Sequence, residues 1–122
     1  MSQKEDLVFI EHMLESIDAI LKFSEDITKK ELIENRLKQS AIVREIEIIG
    51  EAVKNISKSL KERHKEVKWK EIAGTRDKMV HHYFGVDPNI IFEIIKKDVP
   101  DLRKKILKIK KELKENNLEA KE

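Results

Sequence analysis

The chain has 122 residues, the length of about one domain, and 41% of them are charged. Three glycines and two prolines are too few for the many tight turns of a β-sandwich or barrel, and the absence of cysteine excludes disulfides and thiolate zinc sites. With 26 basic and 24 acidic residues the formal net charge is only +2, so the overall charge does not by itself indicate a nucleic-acid-binding protein.

The apolar residues recur at helical spacing along most of the sequence, which predicts a mostly helical protein. We expect an all-α fold, a bundle of four to five helices in a single domain over residues 1–122, with a frayed C-terminal tail at about 114–122. No apolar run approaches the length of a membrane span, and the N-terminal residues lack the apolar centre of a secretory signal. We therefore expect a cytoplasmic protein without a membrane partner.

The first predicted helix begins near Ser2, because Ser2 and Glu5 have the spacing of a capping box. We expect this helix to end at about Phe23. Its inward side is predicted from the apolar residues that share one helical stripe. These are Leu7, Ile10, Met13, Leu14, Ile17 and Leu21.

A second capping box, Thr28 with Glu31, begins a helical pattern that continues to about Ser59. This pattern is long for a globular helix, so we expect a break near Asn35. Gly50 lies in its most apolar turn, where a glycine costs about 1 kcal/mol relative to alanine. We interpret Gly50 as a point of tight helix packing; a ligand contact is the alternative.

The segment from Lys61 to Lys70 is predicted to be a polar connection. Trp69 to Ala73 is predicted to form a short helix that drops Trp69 and Ile72 onto the core, and Gly74 is expected to end it.

A further helix is predicted from Thr75 to His82 or Tyr83. Asp87-Pro88 is typical of an N-cap followed by a first-turn proline and predicts the start of the next helix. Pro100 likewise predicts the start of the last helix.

Two glycines, Gly74 and Gly85, bound the one segment that is rich in chemically useful side chains. Asp77 and His81 are four residues apart, so on a helix they share a face and can hydrogen-bond, which would fix the tautomer of the imidazole. Arg76 and His81 are five residues apart, about 140° around a helix. They can meet if the helix ends between them, if the long arginine side chain wraps back, or if two copies of the chain join at a symmetric interface.

An arginine that binds phosphate beside a histidine that titrates near neutral pH is a minimal set for phosphodiester cleavage. His81 could take the proton of a ribose 2′-OH or give one to the leaving oxygen, and Arg76 could offset the charge that develops on the phosphoryl oxygens. No metal ion is needed for this chemistry. A polar helical turn that faces solvent explains the same spacing equally well.

The pattern Arg76-x4-His81-x-Tyr83 resembles the R-x4-H-x-Y motif of the HepT branch of the HEPN superfamily. The resemblance extends to Ile48-Ile49-Gly50-Glu51-Ala52, to Trp69-x-x-Ile72-Ala73-Gly74 and to Tyr83-Phe84-Gly85-Val86-Asp87, in the family's order. It therefore covers most of the chain, from about residue 4 to residue 113.

The resemblance implies a HEPN-like homodimer in which motif residues of both protomers line one cleft. It implies a metal-independent endoribonuclease toxin of a type VII-like toxin–antitoxin system, with RNA as substrate. Arg76 would bind the scissile phosphate, His81 would be the acid and base, and Asp77 would orient His81. The usual partner of the family is an MntA-like minimal nucleotidyltransferase, which would add AMP to Tyr83 and silence the toxin.

Two positions depart from the family's pattern. His82 stands where glycine is common, and it would either add a second titrating group to the site or point to solvent. Phe92 stands where tryptophan is common, which is expected to affect packing only.

Glu51, beside Gly50, would support the cleft from behind or be an ordinary solvated carboxylate.

Three further sets of residues are weaker candidates. Arg44 and Lys54 could extend a phosphate-binding surface, and the basic stretch from Lys61 to Lys70 could hold RNA backbone, although a solvated connection explains it as well. The four histidines show no metal-ligand spacing on a helix face, so we expect no metal ion and no cofactor. The alternative functions are a non-catalytic HEPN module that binds nucleotide or docks a nucleotidyltransferase, and a purely structural helical interaction protein.

Overall fold

The computed structural model describes the backbone of residues 3–81 and 85–121, and the side chains of residues 5–79 and 85–116. The described chain is all-α, as the periodicity predicted, apart from one hairpin whose two strands have two residues each. The helices are α1 (Gln3–Phe23), α2 (Lys29–Glu34), α3 (Arg36–Lys54), α4 (Lys58–Arg63), α5 (Trp69–Ala73), α6 (Thr75–Met79), α7 (Pro88–Glu93) and α8 (Val99–Lys121). The strands are β1 (Val80–His81) and β2 (Gly85–Val86), and a π-helical turn (Ile94–Asp98) joins α7 to α8.

The core lies where α1 packs against α3 and α8. The predicted inward stripe of α1 is confirmed at its centre, since Ile10, Met13 and Ile17 are fully buried. Ile106 and Ile109 of α8 are buried against them to the same degree. Each such side chain contributes roughly 1.5–3 kcal/mol when it leaves water, so this three-helix contact dominates the stability of the bundle.

The break expected near Asn35 is confirmed. The backbone N–H of Asn35 ends α2 by donating to the carbonyl of Glu31, and its side-chain oxygen accepts a hydrogen bond from the N–H of Lys38 at 3.0 Å and so caps α3. Thr28 caps α2 as predicted, because its hydroxyl accepts from the N–H of Glu31 at 3.1 Å. The proposed cap at Ser2 lies outside the described residues.

The expected end of the second helical pattern at Ser59 is wrong, because α3 ends at Lys54 and α4 occupies Lys58–Arg63. The cause is a contact between distant parts of the chain. Ser57 caps α4 by accepting from the N–H of Leu60, and the buried carboxylate of Asp6 accepts from both the N–H (2.8 Å) and the hydroxyl (2.6 Å) of Ser57. The new helix start is therefore held onto α1.

The short helix α5 has the predicted bounds and buries Trp69, whose indole N–H donates to the carbonyl of His64 at 2.9 Å. Ile72 packs against the core but is only partly buried. Gly74 ends α5 as expected.

The predicted extension of α6 to His82 or Tyr83 is wrong, because α6 ends at Met79 and the chain enters β1. Val80 pairs with Val86 and His81 with Gly85 in an antiparallel register. Gly85 has φ of 75°, a left-handed conformation that L side chains rarely adopt, and the N–H of Asp87 donates to the carbonyl of Met79 at 2.8 Å. The returning strand thus provides backbone hydrogen-bond partners for the residues at and beyond the end of α6.

The remaining helices form one continuous rod from Pro88 to Lys121. Asp87 is the predicted N-cap of α7, with its side chain accepting from the N–H of Asn89. Pro100 lies in the first turn of α8, but no break precedes it; the N–H of Val99 reaches back five residues to the carbonyl of Ile94 in a π-helical turn. This wider turn accommodates a proline, which lacks an N–H and crowds the carbonyl four residues before it. The helix continues through 114–121, the segment expected to fray.

Candidate active site

The arginine and aspartate of the motif lie on α6, a helix of five residues. Met79 is fully buried and anchors this helix, while the N–H of Asp77 donates to the carbonyl of Gly74 at 3.1 Å and fixes its first turn. The side chain of Arg76 is 69% exposed and Asp77 is also exposed. The helix therefore presents both charged groups to solvent.

Arg76 has a partner that the sequence did not suggest. Its Nε atom lies 3.9 Å from Oε1 of Glu47 on α3, the helix against which α6 packs. Because both side chains are well exposed, this ion pair contributes about 0–1 kcal/mol at most. The contact is therefore weak enough for another anion to replace it.

The position of Gly50 explains how α6 comes to lie on α3. A Cβ atom at Gly50 would lie 3.5 Å from the carbonyl oxygen of Ile72 and 3.7 Å from that of Ala73, so α3 and α5 approach closely at this point. This confirms the interpretation of Gly50 as a point of helix packing, at which a Cβ atom would make ordinary van der Waals contacts. Since α6 follows α5 directly, Glu47, which lies three residues before Gly50, meets Arg76. Had the helix contact at Gly50 been known, this spacing could have revealed Glu47.

Glu51 lies on the exposed side of α3. The carboxylate of Glu51 pairs with Lys54 at 3.2 Å, and the side-chain amide of Asn55 donates to the backbone carbonyl of Glu51. Among the described side chains, no hydrogen bond or ion pair joins Glu51 to the motif residues of α6. Arg44 is exposed on the same helix.

The helical argument that joined Asp77 to His81 is wrong, because the helix ends at Met79 and His81 is in β1. A helix end between Arg76 and His81 is one of the ways in which the two residues can meet. The structure has such an end, at Met79. The side chain of His81 and the whole of His82 and Tyr83 lie outside the described residues. Their roles remain predictions.

A groove of about 570 Å³ runs beside the motif helix, between α3, α5 and the rod formed by α7 and α8. Helix α6 contributes Thr75 and Lys78 to its wall, and α8 contributes Leu102 and Lys105. The floor is largely apolar, and the rim carries both acidic and basic side chains. The groove therefore connects the motif helix to the N-terminal part of α8.

A buried histidine fastens the segment before α5 to α8. Nδ1 of His64 lies 2.9 Å from Oε1 of Glu66, and its Nε2 lies 3.1 Å from Oε2 of Glu112, in a geometry that is not aligned for a hydrogen bond. The hydrogen bond from His64 is the main cause that lowers the pKa of Glu66 below its ordinary value of 4.5. This part of the predicted basic connection from Lys61 to Lys70 is therefore packed against α8.

Phe92 has a packing role, as expected for a position that departs from the family's pattern. Its ring is partly buried, with the ammonium of Lys29 at 5.7 Å and that of Lys96 at 5.4 Å from the ring centroid.

Within the described part of the chain, no helix is long and apolar enough to cross a membrane, and no group of three or more potential ligands is placed to hold a metal ion.

Fold and site together define a class of small all-α bundles that carry an exposed arginine and aspartate on a short surface helix. Residues 13–109 match the sequence model of a family described as "Ribonuclease HepT-like". The chain belongs to this HepT-like family, as the sequence resemblance indicated.

Curated relatives agree with the family assignment. The chain is 43% identical over 101 residues to a "Putative RNase" of Caldanaerobacter subterraneus, covering 83% of this chain and 90% of that protein. It is 39% identical over 103 residues to a "Probable ribonuclease HepT" of Thermococcus cleftensis, covering 84% and 94%. It is 40% identical over 114 residues to a "Gamma-glutamylcyclotransferase and putative RNase" of Methanocaldococcus jannaschii, covering 93% of this chain but only 51% of that longer protein. No solved structure gives a significant match.

Proposed function

We propose that this protein is a metal-independent endoribonuclease and the toxin of a type VII-like toxin–antitoxin system. The single observation that carries the proposal is the exposed Arg76 on a short helix that ends just before His81, in a chain of the HepT-like ribonuclease family. The names of the relatives as ribonucleases support the reaction class.

Arg76 is proposed to bind the scissile phosphate. A guanidinium group offers several N–H donors in a planar fork that matches two phosphate oxygens. The contact with Glu47 involves Nε at 3.9 Å and is weak, so incoming phosphate can displace it. Arg76 would then offset the charge that builds up on the phosphoryl oxygens in the transition state.

His81 is proposed to be the acid and base. It would take the proton of the ribose 2′-OH while that oxygen attacks phosphorus, and a protonated histidine would give a proton to the O5′ atom as the P–O5′ bond breaks. The products are a 2′,3′-cyclic phosphate and a 5′-hydroxyl. Asp77 is proposed to orient His81. The two residues do not share a helix face, because α6 ends at Met79 and His81 lies in β1. His82 would either add a second titrating group to the same cleft or point to solvent.

The site is proposed to be completed by a second copy of the chain. In a symmetric dimer with α6 at the interface, two copies of Arg76 and His81 would line one cleft, so that one histidine could act as base and the other as acid. Pairing the arginines and histidines would also concentrate positive potential in a chain with a net charge of only +2.

Tyr83 is proposed to be the point of control. A partner nucleotidyltransferase of the MntA type would transfer AMP from ATP to the phenol oxygen and release pyrophosphate. The added phosphate would place negative charge beside Arg76 and oppose RNA binding. Tyr83 is the single tyrosine of the chain, so a Tyr83→Phe variant leaves no other phenol to modify.

The proposal is tested by incubating the purified protein with single-stranded RNA in EDTA, after intact-mass measurement has shown that it carries no AMP. We expect cleavage with cyclic-phosphate products, and no cleavage by a His81→Ala variant purified in the same way. Intact RNA at high concentrations of the unmodified protein would overturn the ribonuclease proposal and favour the non-catalytic module. Light scattering of the same sample tests the dimer.

A further inference from the structure

One face of α8 carries a row of exposed lysines: Lys104, Lys108, Lys111 and Lys114. We call these four residues the lysine row. Their spacing of four, three and three residues places them within about 120° of one another around the helix and along about 15 Å of its length. The exposed Leu107 lies among them, and Glu115 follows at the C-terminal end.

The lysine row lacks the carboxylate partners that other basic residues of α8 have. Arg103 pairs with Asp18 of α1 at 2.8 Å, and Lys105 pairs with Asp101 at 2.9 Å. Among the described residues, none of the four lysines of the row forms an ion pair, although Lys108 acts on Glu66 at longer range. The charge of the row is therefore largely uncompensated and open to an external anion.

The charge of the whole chain is unevenly distributed as a result. Residues 103–114 contain seven basic residues and one acidic residue, a net charge of +6. The chain as a whole has a net charge of +2, so all other residues together carry −4. A near-neutral composition therefore hides one strongly positive helical segment that includes the lysine row, and such a concentration of positive charge attracts nucleic-acid backbones.

The groove beside the motif helix connects this face to the proposed site. Lys78, two residues after Arg76 on α6, and Lys105 of α8 both line the groove. Lys105 lies three residues before Lys108, the spacing of neighbours on a helix surface. Lys78 and Lys105 thus lie between the motif helix and the lysine row, although acidic side chains, among them the Asp101 that pairs with Lys105, also line the groove.

We propose that the lysine row binds the phosphate backbone of the RNA substrate outside the cleaved phosphodiester. This inference rests on the proposed ribonuclease function. The row contacts phosphates only, so it adds affinity without base preference and leaves the chemical step to Arg76 and His81. RNA is favoured over an acidic protein because a single strand presents charges at regular short intervals, as the row does, and because the chain belongs to a ribonuclease family.

The test measures the binding of a fluorescent single-stranded RNA as a function of salt concentration. The test variant replaces all four lysines of the row by glutamine in a His81→Ala background, which prevents cleavage. The control replaces four other exposed lysines, Lys22, Lys29, Lys30 and Lys58, by glutamine in the same background. Both variants lose four positive charges, so the comparison separates a local site from the effect of net charge.

We expect the row variant to bind RNA at least about tenfold more weakly at low salt, and its slope of log affinity against log salt to fall by about 3, since each phosphate contact contributes about 0.7 on a single strand. The control should retain most of its slope. In the cleaving background, the row variant should raise KM and leave kcat nearly unchanged. An unchanged slope overturns the proposal, and so does an equal loss of slope in the control. The proposal is also overturned if the row variant keeps its affinity for RNA and loses only the binding of an acidic protein partner.

This test is independent of the cleavage result. If the original protein cleaves RNA but the row variant keeps its affinity and slope, only the inference about α8 fails. If the original protein neither binds nor cleaves RNA, the proposed function itself fails.

Discussion

The close approach of α3 and α5 at Gly50 gives a direct way to perturb the motif without touching it. We compare Gly50→Ala with Gly50→Leu. The alanine Cβ would lie 3.5 Å from the carbonyl oxygen of Ile72, an ordinary van der Waals contact, so it should fit without displacing α5. Alanine in a helix interior is favoured over glycine by about 1 kcal/mol, so Gly50→Ala should be neutral or stabilising by up to about that amount.

Leucine should have the opposite effect. Its atoms beyond Cβ must enter space that the backbone of Ile72 and Ala73 occupies, and inserting such groups into a packed contact costs about 1–3 kcal/mol. Leucine and alanine have similar helix propensities, so relative to Gly50→Ala the Gly50→Leu variant should lose about 1–3 kcal/mol of stability. The shift of α5 would carry α6 with it, and a misplacement of about 1 Å at a reacting group can reduce the rate by about 100-fold.

Urea denaturation measures the first effect, and RNA cleavage in EDTA at a concentration of urea well below both midpoints measures the second. The alanine variant is the matched control, because it changes the same position and the same helix. If Gly50→Leu is as stable and as active as Gly50→Ala, the contact at Gly50 does not position the motif helix, and the reasoning is refuted.

Three further predictions concern charged groups around the bundle. Glu47→Gln removes the carboxylate that competes with phosphate for Arg76, so the KM for RNA should fall by up to about fivefold with unchanged folding; a higher KM would contradict competition. The lowered pKa of Glu66 beside His64 stabilises the folded state above pH 4.5, and this contribution is lost as the pH falls through the folded pKa. The difference in urea midpoint between the original protein and Glu66→Gln should therefore shrink below pH 4.5, and a constant difference would count against it. Asp6→Ala removes the carboxylate partner of two partly buried donors of Ser57 at the start of α4 and should cost about 1–3 kcal/mol in urea denaturation, whereas an unchanged midpoint would show that water replaces the carboxylate.

The parts of the fold that could be predicted from the sequence depend on local interactions. The caps at Thr28, Asn35 and Asp87 each involve atoms within three residues, so a short stretch of sequence contains the whole signal. The short helix at Trp69 was predicted for the same reason, because Gly74 ends it. Helical periodicity similarly identified the buried side of α1.

The parts that could not be predicted depend on distant partners. The early end of α3 follows from the contact of Ser57 with Asp6, which is 51 residues away in the chain. The end of α6 at Met79 follows from pairing with a returning strand that needs Gly85 in a left-handed conformation. The continuous rod through Pro100 depends on a π-helical turn, which has no simple pattern in the sequence.

The candidate site divides in the same way. The motif residues were recognised from their spacing and from the family's pattern, and the family is confirmed. Glu47 was missed, because its contact with Arg76 joins two helices and depends on how α3 meets α5. The lysine row was missed because the balanced total charge conceals it until the positions of the acidic partners are known.

The central claim is that Arg76 and His81 act together to cleave RNA, and the most direct measurement is the single-turnover cleavage rate in EDTA. Protein without AMP is compared with Arg76→Ala, with His81→Ala and with the double variant. The control is Arg103→Ala, which removes an arginine near the start of α8 that pairs with Asp18 and lies outside the lysine row. We predict that each motif substitution lowers the rate by at least about 100-fold, and that the double variant is no slower than the slower single variant, because the two residues act as a unit. The account is contradicted if Arg76→Ala or His81→Ala cleaves RNA as fast as Arg103→Ala.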